Sequence, residues 1–129
     1  MSIQYTKKME NDTLLVTASG RDDSLEDVKQ YGQAVVTAAI QNNCLKILCD
    51  ETNLVYALGV FEAYVDAEYI AKIAPRIHRV AIICNPNQIG DAKSWETFAV
   101  NRGLRIKVFV DPVDAKIWLD EFHAPEEKN

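Results

Sequence analysis

Glycine is scarce in this sequence, 5 in 129 residues, and none of the five falls in a G-x-G-x-x-G or G-x-x-x-x-G-K pattern. Both patterns exist so that backbone can approach a phosphate closely, and their absence removes nucleotide-cradling loops from the reading. Basic residues are also short, 14 Lys and Arg against 19 Asp and Glu, for a formal charge of −5. A nucleic-acid partner requires a cationic face, as does an anionic membrane surface, so neither is expected. No apolar run approaches the length of about 18 residues that crosses a bilayer, and the opening "MSIQYTKKMEND" has no apolar signal core. No membrane span and no export are predicted. The three cysteines, Cys44, Cys49 and Cys84, are an odd number without an export signal, and they read as reduced, buried thiols of a cytoplasmic protein.

Catalytic and metal patterns are missing in the same way. There is no CxxC or HxxxH, and Cys44 and Cys49, five apart on one extended stretch, are expected on opposite faces. His78 and His123 have no evident Ser or Cys partner, Ser94 lies within a helical pattern beside Trp95, and no G-x-S-x-G elbow occurs. A phosphoacceptor receiver needs paired acids after its first strand and a Thr or Ser after a later one. Asp22 and Asp23 follow a hairpin strand instead, and "RVAIIC" ends in neither hydroxyl. No enzyme activity, metal or cofactor is therefore expected.

What is present is an ordinary globular composition, 48% hydrophobic and 26% charged, of a size that makes one core and one domain over 1–129, with 124–129 as a flexible tail. Ile3, Tyr5 and Met9 alternate with polar residues, "ENDT" turns, and "TLLVTAS" returns, which predicts an antiparallel hairpin ending at Gly20. Ser24 caps a helix from about Leu25 to Gln41, with Leu25, Val28, Gly32, Val35 and Ala39 on one face. The chain then alternates: strand "CLKILC", helix "LGVFEAYVDAEYIAKI" closed by Pro75, strand "HRVAIIC" buried on both faces, helix "DAKSWETFAVNR" closed by Gly103, and strand "LRIKVFV". Asp111 caps a last helix that begins at Pro112. The order ββαβαβαβα predicts an α/β fold, a mostly parallel sheet with an antiparallel N-terminal hairpin.

Two regions are candidates for binding. Three parallel strands end in Asp50, Asn85 and Asp111, and the carboxyl edge of such a sheet is where ligands settle. Thr52, Asn53 and Asn87 would line the same rim. The competing reading is structural: Asp111 caps a helix, and "NPN" after Asn85 is turn chemistry. The second region is the helix after "CDETN", where Leu58, Phe61, Val65 and Tyr69 mark one apolar stripe and Val60, Tyr64 and Ala71 another. One helix resting on a sheet needs a single apolar face. The excess fits a core boxed in by Trp95, Trp118 and Phe122, a contact with a second copy, or a pocket for an apolar ligand. Arg76, His78 and Arg79 form the most basic spot, which the preceding helix end accounts for.

Four stretches, "LLVTASGRDDSLEDVKQY", "CLKILCDETN", "IHRVAIIC" and "VFVDPVDAKIWL", resemble in order and core positions the SpoIIAA-like branch of the STAS superfamily, the fold of anti-sigma-factor antagonists. The likeness runs from about Thr13 to Leu119 and ends in the pattern Asp111, Ala115, Trp118, Leu119. In the phosphorylation-controlled antagonists the first parallel strand ends in Asp-Ser-Ser-Gly-Leu, with a serine as the switch. Here the stretch is Asp50-Glu51-Thr52-Asn53-Leu54: Asp50 and Leu54 match, Thr52 keeps a hydroxyl as a weak phosphorylation candidate, and Glu51 brings a permanent negative charge. Asn53 replaces the glycine that lets a strand turn tightly into a helix. The resemblance implies a bacterial, cytoplasmic, non-catalytic regulatory module without the usual phosphoserine motif. It would bind a protein partner, or itself as a homodimer, through Asp50, Thr52, Asn53 and the helix that follows. The alternative is a small carrier for an apolar or lipid-like molecule beside Leu58, Phe61, Tyr64 and Val65, as in lipid-transfer relatives of the superfamily.

Overall fold

The computed structural model of the chain describes residues 2–122, so His123 and the expected tail 124–129 lie outside the described residues. Strands β1 (Ile3–Glu10) and β2 (Thr13–Asp22) form the predicted antiparallel hairpin, and Asn11 takes the left-handed conformation in its turn, φ 57°. There follow α1 (Leu25–Gln41), β3 (Lys46–Tyr56), α2 (Val60–Ile73), β4 (Arg79–Cys84), a 3-10 turn (Pro86–Gln88), α3 (Ile89–Asn101), β5 (Ile106–Phe109) and α4 (Pro112–Asp120). The expected caps are in place. Ser24 Oγ accepts from the Asp27 amide at 3.3 Å, Asp111 accepts from the Val113 amide at 2.8 Å, and Gly103 follows α3 with φ 96°.

The sheet order is β1-β2-β3-β4-β5, antiparallel only between β1 and β2. Three successive right-handed crossovers that all step the same way must leave their helices on one face. Thus α1, α2 and α3 share the main core with Leu14, Val16, Ile47, Val80, Ile82, Ile106 and Val108. On the other face α4 covers a smaller cluster, Ala81, Ile83, Ala115 and Leu119, with Leu48, Phe109 and Trp118 at its border. From Val80 to Cys84 every residue of β4 is buried, as a central strand covered on both faces requires.

Three local expectations are corrected. Gly20 does not end β2. The strand continues to Asp22, and Gly20, with φ 101°, lies so close to the Ser2 carbonyl that a Cβ would stand 2.1 Å from its oxygen. Nor does β3 stop at Asp50. It runs on to Tyr56, because Asn53 offers no glycine turn and the extended tail of β2 continues to pair with it, Ser19 to Asn53 and Asp22 to Tyr56. Finally, the buried side of α2 is Asp66, Ala67 and Ile70, not the stripe through Leu58, Phe61 and Val65. The physical reason is that α2 packs chiefly against α1 and α3 rather than on the sheet, so the face it buries is the one turned between those two helices. Gly32 of α1 takes part in that approach: a Cβ there would lie 2.3 Å from Ile70 Cδ1.

Gly20→Ala combines a left-handed backbone with a collision against main chain that cannot yield. It should cost roughly 2 kcal/mol or more, read as a lower urea midpoint at unchanged slope. An unaltered midpoint would contradict the close approach to Ser2.

Candidate functional site

Because α2 bridges α1 and α3 and stands off the sheet, a cavity of about 150 Å³ remains between it and β3, β4 and β5. Its walls are mostly apolar, among them Val35, Ile47, Leu54, Ile70, Ile82 and Val108. It reaches solvent at the N-terminal ends of α2 and α3, where the lining residues Val60, Asp91 and Ser94 are exposed. That is the carboxyl edge of the parallel strands.

Three carboxyl groups are buried in this wall, and strand alternation puts two of them there. Leu14, Val16, Ala18, Gly20 and Asp22 share one face of β2, so the strand's last residue points at the cavity. On β3, Ile47, Cys49 and Glu51 share that face. Then one extra residue intervenes: Asp50 pairs with Thr17 but Asn53 pairs with Ser19, so Glu51 and Thr52 together stand opposite Ala18. This bulge inverts the alternation and turns Leu54 and Tyr56 to the same side as Glu51. The third acid, Asp66, comes from the inner face of α2.

Each acid is held by donors. Tyr31 of α1 and Tyr56 of β3 donate their hydroxyls to the two oxygens of Glu51, at 2.8 and 2.7 Å. Asp22 accepts from the Ala57 amide, and the Trp95 indole donates to Asp66 Oδ2 at 2.9 Å. Gln88 completes the frame where β4 has ended. Its carbonyl accepts from the Tyr56 amide and its amide donates to the Leu54 carbonyl, both at 2.7 Å, in place of a neighbouring strand.

Burial governs the protonation of all three. It raises Asp22 from 3.8 to about 6 against the opposing backbone donors of Ala57 and Leu58. It raises Glu51 from 4.5 to about 7 against its two tyrosines, with the charges of Asp22 and Asp66 adding to the rise. Asp66 rises from 3.8 to about 6, opposed by Trp95. The Cys49 thiol is pushed up by burial and then by Glu51, and Cys44 and Cys84 are likewise raised by burial. All three cysteines are free and buried.

No protein-family model matches the chain, and no curated protein matches it in sequence. Solved structures do. An anti-sigma factor antagonist from Mycobacterium paratuberculosis aligns with TM-score 0.64 at 13% identity over 92% of this chain and 95% of that one. An uncharacterized protein of the DUF3478 family with a SpoIIAA-like fold, from Shewanella loihica PV-4, aligns with TM-score 0.55 at 27% identity over 92% and 94%. The chain has a SpoIIAA-like fold.

Within this SpoIIAA-like frame the sequence candidates do not form one site. Asp50 lies inside β3, level with Ile83, and its Oδ1 accepts from the Thr52 amide at 3.1 Å and the Thr52 hydroxyl at 2.6 Å. Together they tie down the bulge. Asn53 is exposed. Asn85 and Asp111 do follow the ends of β4 and β5, where both cap: Asn85 accepts from the Asn87 amide at 2.9 Å. Leu58 lines the cavity, whereas Phe61, Tyr64 and Val65 do not. Tyr64 packs edge-on to Phe98, ring centroids 5.4 Å apart, and Arg102 lies over its ring. In the basic spot, Arg79 lies over Trp118 and pairs with Glu121, and His78 packs on Phe122. Among the described residues no group of His, Cys, Asp and Glu is arranged to hold a metal.

Glu51 is a correction: it is buried and gives up its proton only near neutrality, so it is not a permanent charge. Tyr31, Glu51, Tyr56 and Asp66 are not read as a site from the sequence; Tyr31, Glu51 and Asp66 carry a partial signal in their spacing, whereas Tyr56 turns inward only through the bulge. Tyr31 and Asp66 sit at helical spacing from Val35 and Ile70, and Glu51 continues the alternation of Ile47 and Cys49.

The folded chain keeps these three protons to about pH 6–7, while the unfolded chain releases them near 4. The native state therefore binds more protons within that window, and stability falls as pH rises through it, by on the order of 2–3 kcal/mol per acid. Thermal unfolding should occur at higher temperature near pH 5 than near pH 8, and Glu51→Gln should stabilise at the higher pH and flatten the slope. A melting temperature that climbs steadily from pH 5 to 8 in the wild type would contradict the assignment.

Proposed function

We propose that this protein is a non-catalytic regulatory module that works by binding another protein at the carboxyl edge of its sheet, through the first turn of α2. The observation that carries this reading is the pair Val60 and Phe61, 72% and 76% exposed immediately after Gly59, where helix and sheet edge meet. Large apolar side chains held this far out on the first turn of a helix are suited to anchor a partner. Asn53 is exposed on the strand that leads to this turn, and Asp50 and Thr52 brace that strand from behind. The fold shared with the mycobacterial anti-sigma factor antagonist agrees with a regulatory role. A non-catalytic reading is supported by the thiols, which burial holds in the unreactive protonated form.

The cavity favours a second reading, the binding of a small apolar molecule beneath α2. At about 150 Å³ it matches an apolar void that admits one aromatic ring, and it is smaller than the roughly 300 Å³ and upward of drug-sized sites. The occupant on this reading is a compact molecule, not a lipid chain, and it touches Leu58 but not Phe61, Tyr64 or Val65.

A photocrosslinking residue placed at position 61 tests the first reading in cells. It should give one discrete adduct that is lost on Val60→Asp, while the same residue at exposed Thr97 gives none. An adduct of twice the chain mass would assign the surface to a homodimer. No adduct at 61, or equal labelling at both positions, would remove α2 as the contact.

A further inference from the structure

The cavity wall has an unusual balance of charge. Asp22, Glu51 and Asp66 face it, Asp91 stands at its opening, and none of the lining residues is Lys, Arg or His. Lys29, whose charge acts on Asp66, holds its ammonium over the Tyr69 ring at 4.6 Å and does not line the cavity. Burying carboxyls without a cation is costly, and proteins ordinarily supply the partner themselves.

The hydrogen bonds are unbalanced in the same direction. Every strong donor that reaches the three acids is already used: Tyr31 and Tyr56 on Glu51, the Ala57 amide on Asp22, the Trp95 indole on Asp66 Oδ2. What remains is an acceptor. Asp66 Oδ1 has no hydrogen-bond partner although Asp66 is only 3% exposed, and it is the single buried side-chain polar atom in that condition among the described residues. A buried acceptor left over in a cavity wall, in a native fold where such atoms are rare, points to a donor that arrives from outside. The remaining surface suits a positive group on an apolar body, since Tyr31, Tyr56, Trp95 and Phe98 all contribute aromatic rings to the lining.

We propose that the space beneath α2 is a binding site for a small organic cation, an amine carried on an apolar body of about one ring, with Asp66 receiving the ammonium and Asp22 and Glu51 as the flanking carboxylates. This rests on the second reading above, that the cavity holds a small molecule, and names the chemistry of that molecule. The ammonium donates to Asp66 Oδ1, the apolar body lies against Ile70, Ile82 and Val108, and the entry passes Asp91 between the N-terminal ends of α2 and α3.

Benzylamine and its neutral counterpart benzyl alcohol separate the claims. Calorimetry on the full chain near pH 8 should show the amine binding at least about tenfold more tightly than the alcohol, with the Trp95 indole resonance shifting on addition of the amine. Asp66→Asn, which keeps the shape of the side chain, should abolish that preference. Equal binding of the two compounds to the wild-type protein would overturn the cation assignment and leave the small-molecule reading standing. Binding of neither would overturn both, and amine binding without a shift at Trp95 would place the amine elsewhere and overturn the assignment. The wild-type comparison decides the matter even if the Asp66 variant does not fold.

Discussion

One extra residue in β3 governs the inside of this fold. Side chains along a strand alternate between faces, so a regular β3 carrying Ile47, Cys49 and Glu51 into the core would send Leu54 and Tyr56 out of it. The bulge at Glu51 and Thr52 reverses that. Leu54 becomes one of the most deeply buried side chains, and Tyr56 swings its hydroxyl back onto Glu51. A bulge leaves ladder groups unpaired, and here the Asp50 carboxylate accepts from the displaced Thr52 amide and hydroxyl. The stretch from Asp50 to Leu54 is thereby the brace that sets which way the rest of β3 faces.

The second constraint is the placement of α2. Since the sheet order is sequential, three crossover helices must share one face of four parallel strands. With α1 and α3 seated on the strands, α2 is carried between them, and the close approach at Gly32 and Ile70 sets how near it comes. The void below it is a consequence of topology, and a domain selected for stability alone would fill such a void with larger side chains. Here the space is bordered by three acids whose ionisation is suppressed by burial. Both features lower stability, and strain of this kind is characteristic of binding and reactive sites.

Most of the architecture was legible because it rests on periodicity and caps. The α1 boundaries, the Asp111–Pro112 start of α4 and the doubly buried β4 each follow from local chemistry that tertiary packing does not override. The site was less legible for a related reason. Reading β3 as ending at an acid discarded the alternation that places Glu51 beside Cys49, and with it the partner of Tyr31. Asp66 is harder still, because a single acid on an inner face composed of Ala63, Ala67 and Ile70 looks like surface charge unless α2 is known to stand off the sheet. Hydrophobic excess in that helix was visible, but its direction was not: Phe61 points outward and Val60 stands at the cavity mouth, while the buried face is Asp66, Ala67 and Ile70.

The two proposed binding modes meet at one residue. Val60 is part of the cavity lining and is also exposed next to Phe61 in the first turn of α2. Leu58, just before the cap at Gly59, lines the same opening, and its backbone and that of Ala57 are anchored on Asp22. A molecule seated in the cavity therefore rests against the segment that holds the outer anchor, and a partner gripping Phe61 presses on the segment that forms the cavity wall. If both sites are used, linkage requires that any affinity an internal ligand adds to the outer contact is returned by the outer contact to the ligand. The proposed partner surface and the proposed small-molecule site are thus the two sides of one turn of helix.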